Sequence, residues 1–340
     1  MKNKIIGLIG GLVLGANLYS CDFRKKETTG TTESQTAPVT TPAATSNAPA
    51  FNPDSAYQYV ARQVSFGPRV PNSAAHQACG DYLIQKLKNL GAQVQVQAFT
   101  STAYDGKKMQ LRNIIGSFRP EATNRILMAA HWDTRPIADK DESNPNTPSD
   151  GANDGASGVG VLLEVVRNLQ TAQNNTPVGV DIIFFDGEDN GDPEGDSGDE
   201  VSWCLGSQYW AANKHQANYT ANFGVLLDMV GAHGAKFAQE GYSMQYAPQV
   251  VANIWKTANQ IGYSDYFIYT QNGQITDDHV YMNKAGIPTA DIIDYDPTSP
   301  DGTFGKYHHR HTDNMGIIDK NTLKAVGQTL LQVIYNQAAV

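Results

Sequence analysis

Acidic and histidine side chains cluster in five short motifs, and most of these motifs directly follow an apolar run. The motifs are His131-Trp132-Asp133 after 126–130, the segment 151–158 (GANDGASG), the segment 186–189 (DGED) after 181–185, Asp228 after 225–227, and the segment 307–313 (YHHRHTD). A single acidic residue at a strand end usually caps a helix or faces solvent, whereas five such motifs in one chain favour a shared site. Zinc suits carboxylate and imidazole ligands without thiolate. The candidate ligands are Asp154, Asp189, Asp228, His131 and His309.

Glu188 directly precedes the candidate ligand Asp189 and is itself free to act as a general base and acid. A partly desolvated carboxylate beside zinc can be tuned toward a neutral pKa, which suits proton transfer. The glycines around Asp154 allow a sharp backbone turn that would bring its carboxylate over the metal. The sequence therefore predicts a zinc centre with an acid–base carboxylate beside it.

Short apolar runs alternate with helical patterns from residue 51 onward, which is typical of α/β architecture. The near-continuous apolar runs predict strands at 126–130, 180–185, 225–227 and 289–293 that are covered on both faces. Helical spacing predicts helices at 76–90, 156–169, 205–213, 248–261 and 321–335. In open α/β sheets the ligand site lies at the carboxyl ends of the strands, which is where the polar motifs stand.

The chain begins with a segment that is typical of export rather than of the fold. Lys2 and Lys4 precede an apolar run that ends in Leu18-Tyr19-Ser20-Cys21, which resembles a bacterial lipoprotein signal with a lipidated cysteine. We therefore expect a signal peptide at 1–20, a disordered tether at 21–50 with almost no large apolar residue, and a folded domain at 51–340. The expected location is the periplasm, with membrane attachment only through lipid at Cys21.

Composition excludes several classes for the 340-residue chain. A net charge of −9 argues against a nucleic-acid-binding protein, which needs a basic face. No apolar stretch of about 20 residues follows the first 21, so a membrane bundle is excluded. Three cysteines are too few for a disulfide scaffold or a cysteine zinc cluster. Whether Cys79 and Cys204 pair or remain buried thiols is left open.

The order of the motifs resembles the zinc aminopeptidase superfamily, and within it the glutaminyl-peptide cyclotransferases, especially bacterial ones of animal type. The stretches that carry the resemblance are HWDTRP, GANDGASGVGVLLEV, IIFFDGED, LLDMVGA, TDDHVYMNKAGIPTADII and HTDN. The resemblance covers roughly residues 51–340. It implies a single globular α/β domain with a central mixed β-sheet flanked by helices.

Carried over residue by residue, the resemblance implies one catalytic zinc on Asp154, Asp189 and His309. It implies that Glu188 is the proton shuttle and that Asp228 and Asp277 form a hydrogen-bond network with it. Asp189 stands where animal cyclases usually have glutamate, which places the metal closer to that strand. The family ligand lies four residues before an aspartate, which favours His309, with Asp313, over the alternative His311.

Several tryptophan and histidine residues outside the predicted zinc site also receive expected roles. Trp203 and Trp132 are candidates for an aromatic wall beside the substrate. His76, His215 and His233 stand outside every motif and are expected at the surface or as caps, whereas His279 is expected to support the acids before it.

The resemblance implies cyclisation of N-terminal glutamine in peptides and proteins to pyroglutamate, with release of ammonia. The alternative is a dinuclear zinc aminopeptidase, for which His131 and Asp228 would supply the second metal. A third possibility is a lipoprotein that captures peptides without turnover, which the intact Glu188 and the complete set of candidate ligands disfavour.

Overall fold

The computed structural model describes residues 48–171, 178–195, 202–295 and 304–337. The predicted signal peptide, Cys21 and all but the last three residues of the predicted tether lie outside these ranges. Within them, no helix combines the length and the apolar character needed to cross a membrane.

A six-stranded mixed sheet forms the centre of the fold, in the order β1-β2-β4-β3-β5-β8. Its strands are β1 (Gln93–Thr102), β2 (Lys108–Phe118), β3 (Arg125–His131), β4 (Gly179–Phe185), β5 (Phe223–Asp228) and β8 (Thr289–Ile293). β4, β3, β5 and β8 run parallel, while β2 pairs antiparallel with both β1 and β4. The carboxyl ends of the four parallel strands therefore meet at one edge, as the sequence predicts.

Helices cover both faces of the sheet. They are α1 (Pro53–Val64), α2 (Ala74–Asn89), α3 (Ala156–Thr171), α4 (Leu205–Ala212), α5 (Gly241–Tyr246), α6 (Pro248–Gln260), α7 (Asp278–Lys284) and α8 (Lys320–Asn336). A 3-10 turn spans Met315–Ile317, and a small parallel pair joins β6 (Phe237–Gln239) to β7 (Phe267–Gln271). The predicted mixed α/β fold with flanking helices is confirmed.

Alternate residues of the central strands pack into different apolar clusters. Ile126 and Met128 of β3 belong to the larger cluster, whereas Leu127 and Ala129 belong to a second one with Trp210. Successive side chains of a strand point to opposite faces, so a run without polar residues requires cover on both sides. This arrangement explains why the apolar runs identify these strands.

One glycine fixes the helix that follows the first site loop. A Cβ atom at Gly158 in α3 would lie 2.5 Å from the Leu227 carbonyl oxygen of β5. Only glycine allows α3 to approach the strand this closely. The approach brings the loop before α3, which carries Asp154, next to the end of β5.

The first and last parts of the domain are joined directly. The amide of Phe51 donates to Gln328 Oε1 of α8 (2.9 Å), and Gln328 Nε2 donates to the Pro49 carbonyl (3.1 Å). The Phe51 ring occupies the space beside Gly327, where a Cβ would lie 2.1 Å from it. α8 also packs on α1, α3 and α6, so it closes one face of the core.

A buried ion pair lies at the amino ends of β3 and β4. Arg125 donates from Nε and Nη2 to the two carboxylate oxygens of Asp181, both at 2.6 Å, and Tyr219 adds a hydroxyl donor at 2.7 Å. The remaining guanidinium hydrogens reach the carbonyls of Phe118, Arg119 and Ala122. Planar, bidentate pairing of this kind satisfies the whole guanidinium group.

Candidate functional site

A cavity of about 560 Å³ opens at the carboxyl edge of the parallel strands. Six residues singled out from the sequence line it: Asp154, Glu188, Asp189, Asp228, Asp277 and His309. Asp228 ends β5, Glu188 and Asp189 follow β4, and Asp277 directly precedes α7. The strand ends thus bring together residues that are far apart in the chain.

His309 lies in this cavity beside two candidate metal ligands. Its Nε2 atom is 3.3 Å from Asp189 Oδ1 and 3.9 Å from Asp154 Oδ2. His311 lies elsewhere, since its Nδ1 is 3.1 Å from Asp141 and its Nε2 is 3.0 Å from the Thr147 hydroxyl. Of the two histidines left open by the sequence, His309 is therefore the one that faces the acids.

The donor set fits a zinc ion. Asp189 Oδ1 is buried and receives no hydrogen bond from the described residues, although it faces His309 Nε2. One ligand atom each from Asp154, His308 and His309 lies within 4.8 Å of the other two. Carboxylate and imidazole atoms at such spacing are the ligands that zinc prefers in catalytic sites. His308, which the sequence analysis left without a role, also lines the cavity.

A second grouping shares Asp154. One ligand atom each from His131, Asp154 and Asp228 lies within 4.8 Å of the other two. His131 Nε2 is 3.0 Å from Asp154 Oδ1 and 3.2 Å from Asp228 Oδ1. Burial opposes the charged form of His131, but hydrogen bonds to Asp133, Asp154 and Asp228 outweigh it and hold its pKa well above the ordinary value.

Glu188 is a nearly buried carboxyl at the cavity wall. Burial raises its pKa well above the ordinary value; His131 opposes the rise, and Asp277 adds to it. Cys204 donates its thiol hydrogen to Glu188 Oε1 at 3.4 Å. One ligand atom each from Glu188, Cys204 and Asp277 lies within 4.8 Å of the other two, so Asp277 is in reach of Glu188. Burial also raises the pKa of Asp228, to about 7.

Two buried aspartates hold the backbone that carries these groups. Asp133 accepts hydrogen bonds from the amides of Glu188 (3.1 Å) and Asp189 (3.2 Å). Asp313 accepts from the amides of Asn153 (2.7 Å) and Asp154 (3.1 Å). Both loops are therefore fixed by carboxylates from another part of the chain, which preorganises the site.

The sequence profile described as "Peptidase family M28" matches residues 113–334, which contain every candidate site residue. The chain belongs to peptidase family M28.

Two solved structures are similar to this M28 chain in both sequence and fold. A structure described as a Zn-dependent exopeptidase from Parabacteroides distasonis is 54% identical with a TM-score of 0.82, covering 85% of this chain and 99% of that one. The glutaminyl cyclase of Bacteroides thetaiotaomicron is 52% identical with a TM-score of 0.82, with the same coverage of 85% and 99%. The resemblance to glutaminyl cyclases inferred from the motifs is confirmed.

A curated relative carries a different activity name. Aminopeptidase YwaD of Bacillus subtilis is 28% identical over 267 residues, a match that covers 75% of this chain. The match covers 49% of that aminopeptidase, so the chain spans about half its length.

Behind Asp277, the M28 chain carries a buried acidic cluster that the sequence analysis only partly identified. One ligand atom each from Asp277, His279 and Asp291 lies within 4.8 Å of the other two. His279 Nε2 is 2.9 Å from Glu240 Oε2, an acid other than the two before it that the sequence analysis expected it to support. Asp291 stands inside the apolar strand β8, a signal that could have identified it, whereas nothing local marks Glu240.

Two of the three histidines expected at the surface or as caps are buried, so that prediction is wrong for them. His76 is 4% exposed and its Nε2 lies 2.8 Å from Asp186 Oδ1. His215 is 9% exposed and accepts a hydrogen bond from Trp210 Nε1. The partner of His76 lies 110 residues away, beyond the reach of any local motif. His233 is exposed, as expected.

Of the two tryptophans expected to line the cavity, only one does so. Trp132 is fully buried and stacks on His76 at 4.3 Å between ring centroids, so the prediction that it lines the cavity is wrong. Trp203 lines the cavity and stacks on His309 at 5.9 Å. Cys79 and Cys204 are free, buried thiols, which settles the open question of their pairing.

Proposed function

We propose that the protein is a zinc-dependent glutaminyl-peptide cyclotransferase that converts N-terminal glutamine of peptides and proteins to pyroglutamate and releases ammonia. The observation that carries the proposal is the meeting of Glu188 and Asp277 in the cavity that also holds Asp154, Asp189 and His309. The 52% identity to a glutaminyl cyclase over nearly its whole length supports the same reaction.

Asp154, Asp189 and His309 would hold one zinc ion per chain. When bound, zinc supplies Lewis-acid polarisation of the γ-carbonyl of the substrate glutamine. The α-amino nitrogen forms a bond to the side-chain carbonyl carbon, Cδ, and the bond from Cδ to the side-chain amide nitrogen breaks. Glu188 takes the proton that the amine loses and delivers it to the departing nitrogen, which leaves as ammonia.

Asp277 and Asp228 would position this proton transfer. Asp277 lies beside Glu188, and Asp228 lines the same cavity and contacts His131. Because the nucleophile and the carbonyl belong to one molecule, the cavity contributes orientation and charge stabilisation rather than a separate nucleophile.

The second candidate is a dinuclear zinc aminopeptidase. The grouping of His131, Asp154 and Asp228 within 4.8 Å favours it, because these atoms could hold a second ion beside the first. In that enzyme Glu188 would activate water for peptide hydrolysis.

Incubation with Gln-, Leu- and Ala-initiated peptides separates the two. The cyclotransferase releases ammonia from the Gln peptide and no free leucine or alanine from the others. Its turnover rises with pH through about 7.7–8.0, where free α-amines lose their proton. Release of leucine without ammonia from the Gln peptide would establish the aminopeptidase instead, and zinc counted per chain gives an independent reading.

We also propose that residues 1–20 are a signal peptide, that 21–50 form a tether, and that lipid at Cys21 attaches the domain (51–340) to a periplasmic membrane face. The support is the segment Leu18-Tyr19-Ser20-Cys21 behind an apolar run. Membrane fractionation after metabolic labelling with a fatty acid tests this. Label in the wild type but not in Cys21→Ser is the expected result, and equal release of both proteins in soluble form contradicts it.

A further inference from the structure

A short segment of the loop after β3 runs beside the histidine loop and pairs with it residue by residue. The contacts are Asp139 with His309, Lys140 with His308, Asp141 with His311 and Glu142 with Arg310. The Lys140 amide also donates to the His309 carbonyl at 3.3 Å. The two loops are far apart in sequence, and of these pairs Asp139 with His309 and Lys140 with His308 line the cavity, whereas Asp141 and His311 do not.

Asp139 approaches the ring nitrogen of His309 that points away from the other acids. Its Oδ1 atom is 3.2 Å from His309 Nδ1, whereas His309 Nε2 faces Asp189. The contact is close but not aligned as a hydrogen bond, since His309 Nδ1 has no aligned partner among the described residues. All three carboxylates line the cavity, and the imidazole lies between Asp139 on its Nδ1 side and Asp154 and Asp189 on its Nε2 side.

Arg135 connects Asp139 to the second candidate ligand. Its Nε donates to Asp139, and its backbone amide donates to Asp189 Oδ2 at 3.0 Å. The guanidinium carbon lies 4.6 Å from the centre of the Trp203 ring, and the side chain is 2% exposed. Arg135 therefore has little freedom to move, and it fixes Asp139 relative to Asp189.

The backbone at His309 needs such support. His309 has a φ of 57°, in the left-handed region that residues other than glycine seldom adopt. A conformation of this kind persists where the surrounding contacts over-determine it, and such residues concentrate at functional sites. The Lys140 amide holds the His309 backbone, and Asp139 reaches its ring.

We propose that Asp139 is a positioning residue for the metal centre: its carboxylate, 3.2 Å from His309 Nδ1, favours the tautomer that carries the hydrogen on Nδ1 and leaves Nε2 free to bind zinc. A carboxylate behind a metal-bound histidine orients the ring and raises its basicity, and its loss typically lowers metal affinity about 10–100-fold. The proposal rests on the proposed zinc site. It assigns a role to a residue that no motif identifies.

The test measures zinc affinity by chelator competition on metal-depleted full-length protein, without substrate. Asp139→Ala is expected to raise the zinc dissociation constant about 10–100-fold, and Asp139→Asn, which keeps an acceptor oxygen but loses the charge, less than that. Asp141→Ala is the matched control, because it removes the neighbouring carboxylate that contacts His311. It should leave the dissociation constant close to that of the wild type.

Two further measurements distinguish a role of Asp139 in positioning His309 from a role in the stability of the fold. Metal-free Asp139→Asn should unfold at the temperature of the metal-free wild type, and its cobalt(II) form should show an altered visible spectrum. Unchanged zinc affinity in both Asp139 variants, or an equal loss in Asp141→Ala, would overturn the proposal. Failure of the wild type to cyclise Gln peptides while Asp139 still governs zinc affinity would overturn the proposed function alone.

Discussion

The two ends of the same parallel strands handle buried charge in opposite ways. At the amino ends, Arg125 and Asp181 satisfy one another with help from Tyr219. At the carboxyl ends, Asp189 Oδ1, Asp277 Oδ2 and both oxygens of Asp291 receive no hydrogen bond from the described residues. The contrast lies within one sheet.

Unpaired buried charge is unfavourable, so the carboxyl ends need a further species to balance them. Burial raises the pKa of Asp277 and raises that of Asp291 well above its ordinary value, so protons satisfy part of the need. A metal ion at Asp154, Asp189 and His309 would satisfy another part. The ion pair at the amino ends is complete without a ligand, whereas a bound metal ion would complete the carboxyl ends.

The largest effect is expected from removing a candidate zinc ligand at the carboxyl ends of the strands. His309→Ala should lose zinc and all cyclising activity, because it removes the imidazole that faces Asp154 and Asp189. His311→Ala is the control and should keep most of its zinc, since that ring contacts Asp141 and Thr147. Metal content of the two purified variants decides the point, and the reverse order would move the ligand to His311.

Next in size is the removal of the proton carrier. Glu188→Gln keeps the shape but cannot transfer a proton, so kcat should fall about 10²–10⁴-fold. The Michaelis constant should change little, because the loss belongs to the transition state. Steady-state kinetics against Glu121→Gln, an exposed acid, supply the comparison. An unchanged kcat would remove Glu188 from the reaction.

At the amino end the same kind of change should alter stability and leave turnover intact. Arg125→Met leaves Asp181 charged and buried, which should lower the free energy of unfolding by about 3–5 kcal/mol. The double variant Arg125→Met/Asp181→Asn removes the stranded charge and should recover part of the loss. Urea unfolding, with kcat measured in parallel, tests this prediction. A kcat reduced as strongly as in Glu188→Gln would show that the amino end also serves the reaction, so that the two ends do not differ in this way.

The smallest expected effect is on the stability of the fold at low pH. The hydrogen bond from His279, together with backbone amides, outweighs burial and lowers the pKa of Glu240 from 4.5 to about 2. Because the folded state favours ionised Glu240, its stabilisation is complete above pH 4.5 and is lost as the pH falls toward 2. His279 and Asp291 are the titratable groups that face it.

Glu240→Gln should therefore be less stable than the wild type by about 1.5–3 kcal/mol at pH 6, the range for hydrogen bonds to charged groups. The difference should shrink as both proteins are unfolded in urea at progressively lower pH. A gap that stays constant down to pH 3 would show that the charge of Glu240 is not what stabilises the fold.

The sequence predicts an element or a site residue when the signal for it lies in neighbouring residues, and it fails when the role depends on a contact with a distant part of the chain. The parallel strands are predictable because burial on both faces removes polar residues from them. The continuous apolar runs used to predict strands miss β1 and β2, because the edge strand β1 alternates glutamines with valines and β2 begins with alternating polar and apolar residues. Asp154, Glu188, Asp189, Asp228 and His309 could be predicted because each stands in a short polar motif, whereas Asp277 could be predicted only from the resemblance to the cyclases.

The supporting residues could not be identified in the same way. Glu240 binds His279 across 39 residues, and Asp139 reaches His309 from a loop with no recognisable spacing. Their roles depend on side-chain contacts made only after the sheet has assembled. A sequence read in short windows contains no trace of these contacts.

The bond between Phe51 and Gln328 has a consequence for how the protein is synthesised. The ribosome completes Phe51 long before α8, since 277 residues separate the two partners. Until α8 emerges, the apolar faces of α1 and α3 that it covers remain open to solvent and to other nascent chains. The domain can therefore reach its native packing only after α8 has been synthesised and has left the ribosome.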